Sequence, residues 1–129
     1  MITLYTDEDC SIELTDNSIE TIHNGFLGGA DFFTFYMKNT DAAKKYMSVN
    51  VTLEISEELL NWSSKLYLGD DELSEEEWND LESSILIDEL ADVNVVNTVQ
   101  VRLYCPAGVS PVVDTDKIKI KVTAVEVVL

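Results

Sequence analysis

Basic side chains are scarce in this chain: eight Lys and Arg stand against 25 Asp and Glu, for a net charge of −17 at pH 7. Phosphate neutralisation needs clustered Lys and Arg, so this balance opposes binding to nucleic acid or to an anionic membrane. Histidine occurs once, as His23 in "IETIHNG", and a lone His at a strand end is ordinarily a structural hydrogen bonder. Cys10 and Cys105 are the two cysteines; they lie far apart and fit no metal spacing, and an acidic setting does not activate a thiolate. They read as two buried or half-buried thiols. No apolar run approaches the ~18 residues of a membrane span. The opening "MITLYTDEDC" has no basic start, apolar stretch or cleavage site, so no secretory signal is expected. G-x-S-x-G, Walker, H-E-x-x-H and C-x-x-C patterns are missing as well. Acidic pairs are too abundant for any two to be singled out as an acid–base pair. The reading is therefore non-enzymatic, with no catalytic residue, metal or cofactor assigned.

What is present is patterning. At 129 residues and 46% hydrophobic, the chain suits one globular domain over residues 1–129. "KIKIKVTAVEVVL" alternates with period two: Ile118, Ile120, Val122 and Ala124 fall on one face, Lys117, Lys119, Lys121 and Thr123 on the other. The alternation then slips, since Val125, Val127 and Leu129 have the opposite parity, which predicts a β-bulge or twist near Ala124 and Val125. "MSVNVTLEIS" sets Val49, Val51, Leu53 and Ile55 inward, and "TVQVRLYC" does the same with Val99, Val101, Leu103 and Cys105. "DFFTFYMKN" is apolar on both faces, as a central strand would be, and Phe32, Phe33, Phe35 and Tyr36 read as core. Residues 12–14, 19–22, 62–68 and 85–87 are shorter strand candidates. "NGFLGGAD", "KNTDAAKK" and "CPAGVSPVVD" supply turn chemistry between the runs. Eight short strands without alternating long helices predict an all-β, antiparallel sandwich or barrel.

The acidic stretch "LYLGDDELSEEEWNDLESS" contains one helix signal. Ser74 and Glu77 form a capping box, and Glu75, Glu76 and Glu77 sit where the helix dipole favours negative charge. Trp78 and Leu81 share a face, predicting a helix around residues 74–83 pinned to a sheet. The stretch lacks the alternating ligands and central Gly of an EF-hand loop, so its acids are read as solvated.

"IETIHNGFLGGADFFTFYMKNTDAAKKYMSVNVTLEI" resembles the front half of small immunoglobulin-like structural proteins of tailed-phage virions. A His23-Asn24-Gly25 turn leads to a strand ending in Lys38-Asn39, and Tyr46 opens the next strand. The back half is similar too: Trp62, Lys65 and Leu66 on one strand, a glycine, an acidic turn, a helix bearing Trp78, then "VRLYCPAG" and a long final strand. The resemblance implies an immunoglobulin-like β-sandwich, a virion location after synthesis in the bacterial host cytoplasm, and other virion proteins as partners. Within that class the expected role is a capsid decoration or cement protein bound to the major capsid protein, which leaves a homo-oligomer on the particle open. A tail, neck or baseplate component is the alternative, and an acidic inhibitor of a host DNA-binding protein is a reading from another class.

Burying unpaired carboxylates is costly, so the less charged segments are the expected docking surfaces. These are Phe26 and Leu27 in the glycine-rich turn, Pro106, Val109 and Pro111 in the Pro-Gly loop, and Lys117, Lys119 and Lys121 on the last strand. The competing expectation is that Phe26 and Leu27 plug one end of the sandwich and that the lysines blunt an edge strand.

Overall fold

The computed structural model describes residues 1–14, 17, 22–23, 29–57, 59, 61–106, 112–113 and 118–129. In chain order the elements are β1 (Ile2–Tyr5), β2 (Ile22–His23), β3 (Gly29–Asn39), β4 (Lys44–Ile55), β5 (Ser63–Leu68), α1 (Glu75–Asn79), β6 (Ser84–Leu90), β7 (Asn97–Cys105), β8 (Val112–Val113) and β9 (Ile118–Val128). One sheet has the order β1-β3-β7-β5, a second β6-β4-β9, and β2 pairs with β8. Every one of these pairings is antiparallel. The chain is thus all-β, as its alternating pattern predicts.

The two larger sheets share one apolar interior. Phe35, Val99, Val101 and Leu103 from the first sheet meet Val49, Val51, Ile118 and Ile120 from the second, all buried. Phe33, Leu53 and Val122 pack against this cluster and stay half-buried. Each such side chain contributes roughly 1.5–3 kcal/mol when fully removed from water. Met37, Leu66 and the free thiol of Cys105 complete the interior, and burial pushes the Cys105 thiol pKa up. Cys10, also free, is half-buried.

Three expectations need correction. The irregularity does lie beside Ala124 and Val125, but its extra residue is on β4. Met47 faces Val125 and Asn50 faces Thr123, with Ser48 at a left-handed φ of 51° between them. Tyr46 and Val49, three residues apart, can therefore both point inward. β9 keeps one alternation throughout: Val125 stays on the outer face, 59% exposed, while Glu126 keeps the inward parity at the rim. There it accepts from Lys44 Nζ at 3.0 Å and from Tyr46 Oη at 3.4 Å, which is why a carboxylate can occupy that parity. Second, Phe32 and Tyr36 are no core residues; both have the outer parity of β3, Phe32 57% exposed and Tyr36 half-buried. Third, the helix covers Glu75–Asn79 and not residues 74–83. Beyond its C-cap, Asp80, the carbonyl of Glu82 accepts from Leu66 N at 3.0 Å, so the outer edge of β5 draws the chain out of helical conformation.

The expected strand at residues 12–14 reduces to one bridge between Glu13 and Tyr5. It is positioned by Asp7, whose carboxylate accepts from Ser11 N, Ser11 Oγ and Ile12 N; the Ser11 hydroxyl is the leading reason its pKa falls below the usual carboxylate value. Of residues 19–22, Ile22 alone is described, paired with Val113.

Asn39 is the buried polar residue that joins the sheets. It ends β3, is fully buried, and donates through Nδ2 to Lys44 O at 2.9 Å and to Ala91 O at 2.8 Å. Its Oδ1 accepts from Asp41 N at 2.8 Å. One amide thereby satisfies backbone groups at the start of β4, just beyond β6 and in the crossing turn. Leaving buried polar groups unpaired costs about 1–3 kcal/mol each. Asn39→Ala is expected to lower unfolding free energy by about 2–4 kcal/mol in urea titration, and Asn39→Asp, which cannot donate, to do no better. A loss below about 0.5 kcal/mol contradicts this role.

Candidate functional site: an aromatic groove beside the acidic helix

The outer face of the first sheet carries α1 and the acidic turn before it. Ser74 caps the helix as the sequence predicts: its Oγ accepts from Glu77 N at 3.2 Å, and Glu77 Oε1 accepts from Ser74 N at 3.2 Å. The other end is held from β5. Lys65 Nζ donates to Leu81 O at 2.7 Å and more weakly to Asn79 O at 3.4 Å. A cation thus meets the carbonyl of the last helical residue and, more closely, one just past the C-cap. Trp78 is driven inward, 5% exposed, with its ring 5.7 Å from that of Phe32 at a tilted 58°. Such pairs add about 0.5–1.5 kcal/mol beyond their burial.

The turn between β5 and α1 is fastened to the same face. Gln100 Nε2 donates to Gly69 O at 2.9 Å and to Asp71 O at 2.7 Å, and Gly69 N donates to Thr98 O at 2.9 Å. Tyr67 Oη donates to Asp71 Oδ2 at 3.0 Å, and that hydrogen bond is the main reason the phenol pKa is raised. Gly69 has φ +147°, which L side chains rarely adopt, and a Cβ there would come within 2.9 Å of the Tyr67 ring, so any other residue would be strained and would have to displace that ring.

Between this turn and the strands lies an open groove of about 450 Å³, lined among others by Ala30, Phe32, Leu73, Trp78, Gln100 and Arg102. Arg102 stands opposite both Phe32 and Lys65 in the ladder and makes no ion pair among the described residues. Glu72 and Glu75 form the groove's solvent-exposed rim. The arrangement offers apolar ring surface and one cation on a rigid support, which is chemistry for contact with an apolar side chain next to an acidic one.

The expected docking residues are placed only in part. Phe26, Leu27, Val109, Pro111 and Lys117 lie outside the described residues. Pro106 is half-buried just past β7, and its carbonyl accepts weakly from Cys105 Sγ at 3.6 Å. Lys119 and Lys121 are exposed on the outer face of β9, opposite Glu54 and Thr52 of β4. The structure therefore puts these two lysines on the face opposite the aromatic groove. Arg102, Gln100 and Phe32 are not foreseen by the sequence reading. Their outward parity is legible in each strand, but their adjacency depends on the β3–β7 register.

Among the described residues no three His, Cys, Asp or Glu side chains converge as a metal-holding group, and no helix is long and apolar enough to cross a membrane. No family model, curated protein or solved structure matches the chain.

Ser74→Ala is expected to cost about 1 kcal/mol and Lys65→Met about 1–2 kcal/mol, with far-UV circular dichroism retained. Equilibrium unfolding followed by tryptophan emission checks both. Wild-type stability in the lysine variant contradicts the role assigned to Lys65.

Proposed function

We propose that this chain is a non-enzymatic structural protein of a tailed-phage virion, a capsid decoration protein bound in many copies to the major capsid protein. The observation that carries the reading is the outer face just described, where exposed Phe32, its ring tilted against that of Trp78, adjoins Arg102, which makes no ion pair among the described residues. Aromatic and arginine side chains are the residues most often found to dominate protein interfaces. The rim carboxylates can stay in solvent on docking, so the contact carries no desolvation penalty for them.

The immunoglobulin-like part of the proposal rests on strand order. β1, β3, β7 and β5 stand as strands A, B, E and D do in constant-type immunoglobulin domains, and β4 and β9 stand as C and F. β6 departs from that plan, entering between D and E and pairing with the other side of C. The positions that carry the resemblance have structural work in this fold: Asn39 joins the sheets, Tyr46 and Trp62 are buried, Lys65 holds the helix and Gly69 permits the turn.

Quantitative mass spectrometry of purified particles of the encoding phage tests the proposal. Copies in proportion to the major capsid protein are expected. Copies sufficient only for one ring indicate a neck or baseplate component instead, and absence from particles contradicts a virion role. Phe32→Ser with Arg102→Ser is expected to lower occupancy on particles at least about tenfold while the protein stays folded, as removing about 1.4 kcal/mol or more of contact energy does.

A further inference from the structure

Self-association is opposed by charge over most of this surface, but β9 is an exception. It carries two lysines and one glutamate, and that glutamate is already paired with Lys44. β9 lies at the edge of its sheet, and among the described residues it pairs only with β4. It runs for 11 residues with one unbroken alternation, because the extra residue of the bulge sits on β4. A long regular edge is a template for another strand; edge lysines, bulges and inward charges are the usual devices that limit such pairing, so where Lys119, Lys121 and the rim Glu126 fall decides what β9 can pair with. Here the outward lysines, Lys119 and Lys121, occupy one half of the strand, and the outward valines, Val125 and Val127, occupy the other.

That division decides what can pair. A second β9 laid parallel in register would set lysine against lysine. Laid antiparallel about Thr123, it sets Lys119 against the second copy's Val127, Lys121 against its Val125, and Thr123 against its own equivalent. No like charges meet, the lysine stems cover valine side chains, and the contact is self-complementary, as a twofold interface requires. The same side of the molecule has an open groove of about 400 Å³ between β1 and β9, lined by Ile2, Leu4, Tyr46, Val122 and Ala124 among others. Strand addition at β9 brings the second copy over its mouth.

We propose that two copies of this chain associate through antiparallel β9–β9 pairing centred on Thr123, joining their three-stranded sheets into one sheet of six. The inference is independent of any virion role, because it concerns the purified chain in solution.

Sedimentation equilibrium in about 0.15 M salt, where screening limits surface repulsion to about 8 Å, tests it. A species of twice the 14.5 kDa chain mass is expected. Val125→Lys sets a lysine against the second copy's Lys121 twice over and is expected to weaken association about tenfold. Val125→Glu at the same exposed site faces that lysine with a carboxylate and is expected to associate at least as tightly as the wild type. Adding Lys121→Glu to Val125→Lys is expected to restore the dimer. Thermal unfolding of each variant checks that the fold is intact. A monomeric wild type overturns the proposal. So does equal weakening by Lys and Glu at position 125, or a dimer indifferent to both.

Discussion

A single buried amide closes this fold. The chain passes from the first sheet to the second between Asn39 and Lys44, through a turn whose Thr40, Ala42 and Ala43 are exposed while Asn39 at its root is fully buried, so it is at that root that backbone groups need a partner away from water. Asn39 meets that constraint by bonding both sides of the turn and, in addition, the carbonyl of Ala91 beyond β6. With those groups satisfied, the strands on either side of the crossing bury Phe35, Met37, Val49 and Val51 to 1% exposure or less. Without the amide, the carbonyls of Lys44 and Ala91 and the N–H of Asp41 lose their partner at the point where the two sheets meet.

With the interior closed, what distinguishes this molecule is the unlike character of its two outer faces. On the first sheet, Lys65, Gln100 and Tyr67 reach outward and fasten an acidic turn and a short helix, so that Trp78 and Phe32 meet beneath a carboxylate rim. On the second, lysine and valine divide one edge strand between them. The first face is the one the proposed virion contact would use; the second carries the proposed pairing of two copies.

Much of the architecture is legible in the sequence. Period-two alternation identifies the inward residues of β4, β7 and the first half of β9, and Ser74 with Glu77 announces the helix start. Legibility ends where a feature depends on pairing between strands. The apolar slip at Val125 marks a ladder irregularity, but which strand takes the extra residue is set by Tyr46 needing to face inward across from Glu126. Phe32 looks like core because its neighbours are, and only the arrival of Trp78 over β3 explains an aromatic on a solvent face. The helix is shorter than its pattern because the edge of β5 competes for the backbone at Glu82. Arg102 and Gln100 gain meaning only from the register that sets them beside Phe32 and the 69–71 turn.

The central claim is that the two sheets stand or fall together through the Asn39 junction. Native-state hydrogen exchange under conditions where exchange reports opening free energies tests it directly. Paired amides of β3 and β7 on one sheet and of β4 on the other should share one opening free energy, equal to that of global unfolding in urea. If the amides of β4 and β9 exchange through a separate opening of lower free energy while β3 and β7 stay protected, the sheets are independent units and the account is wrong.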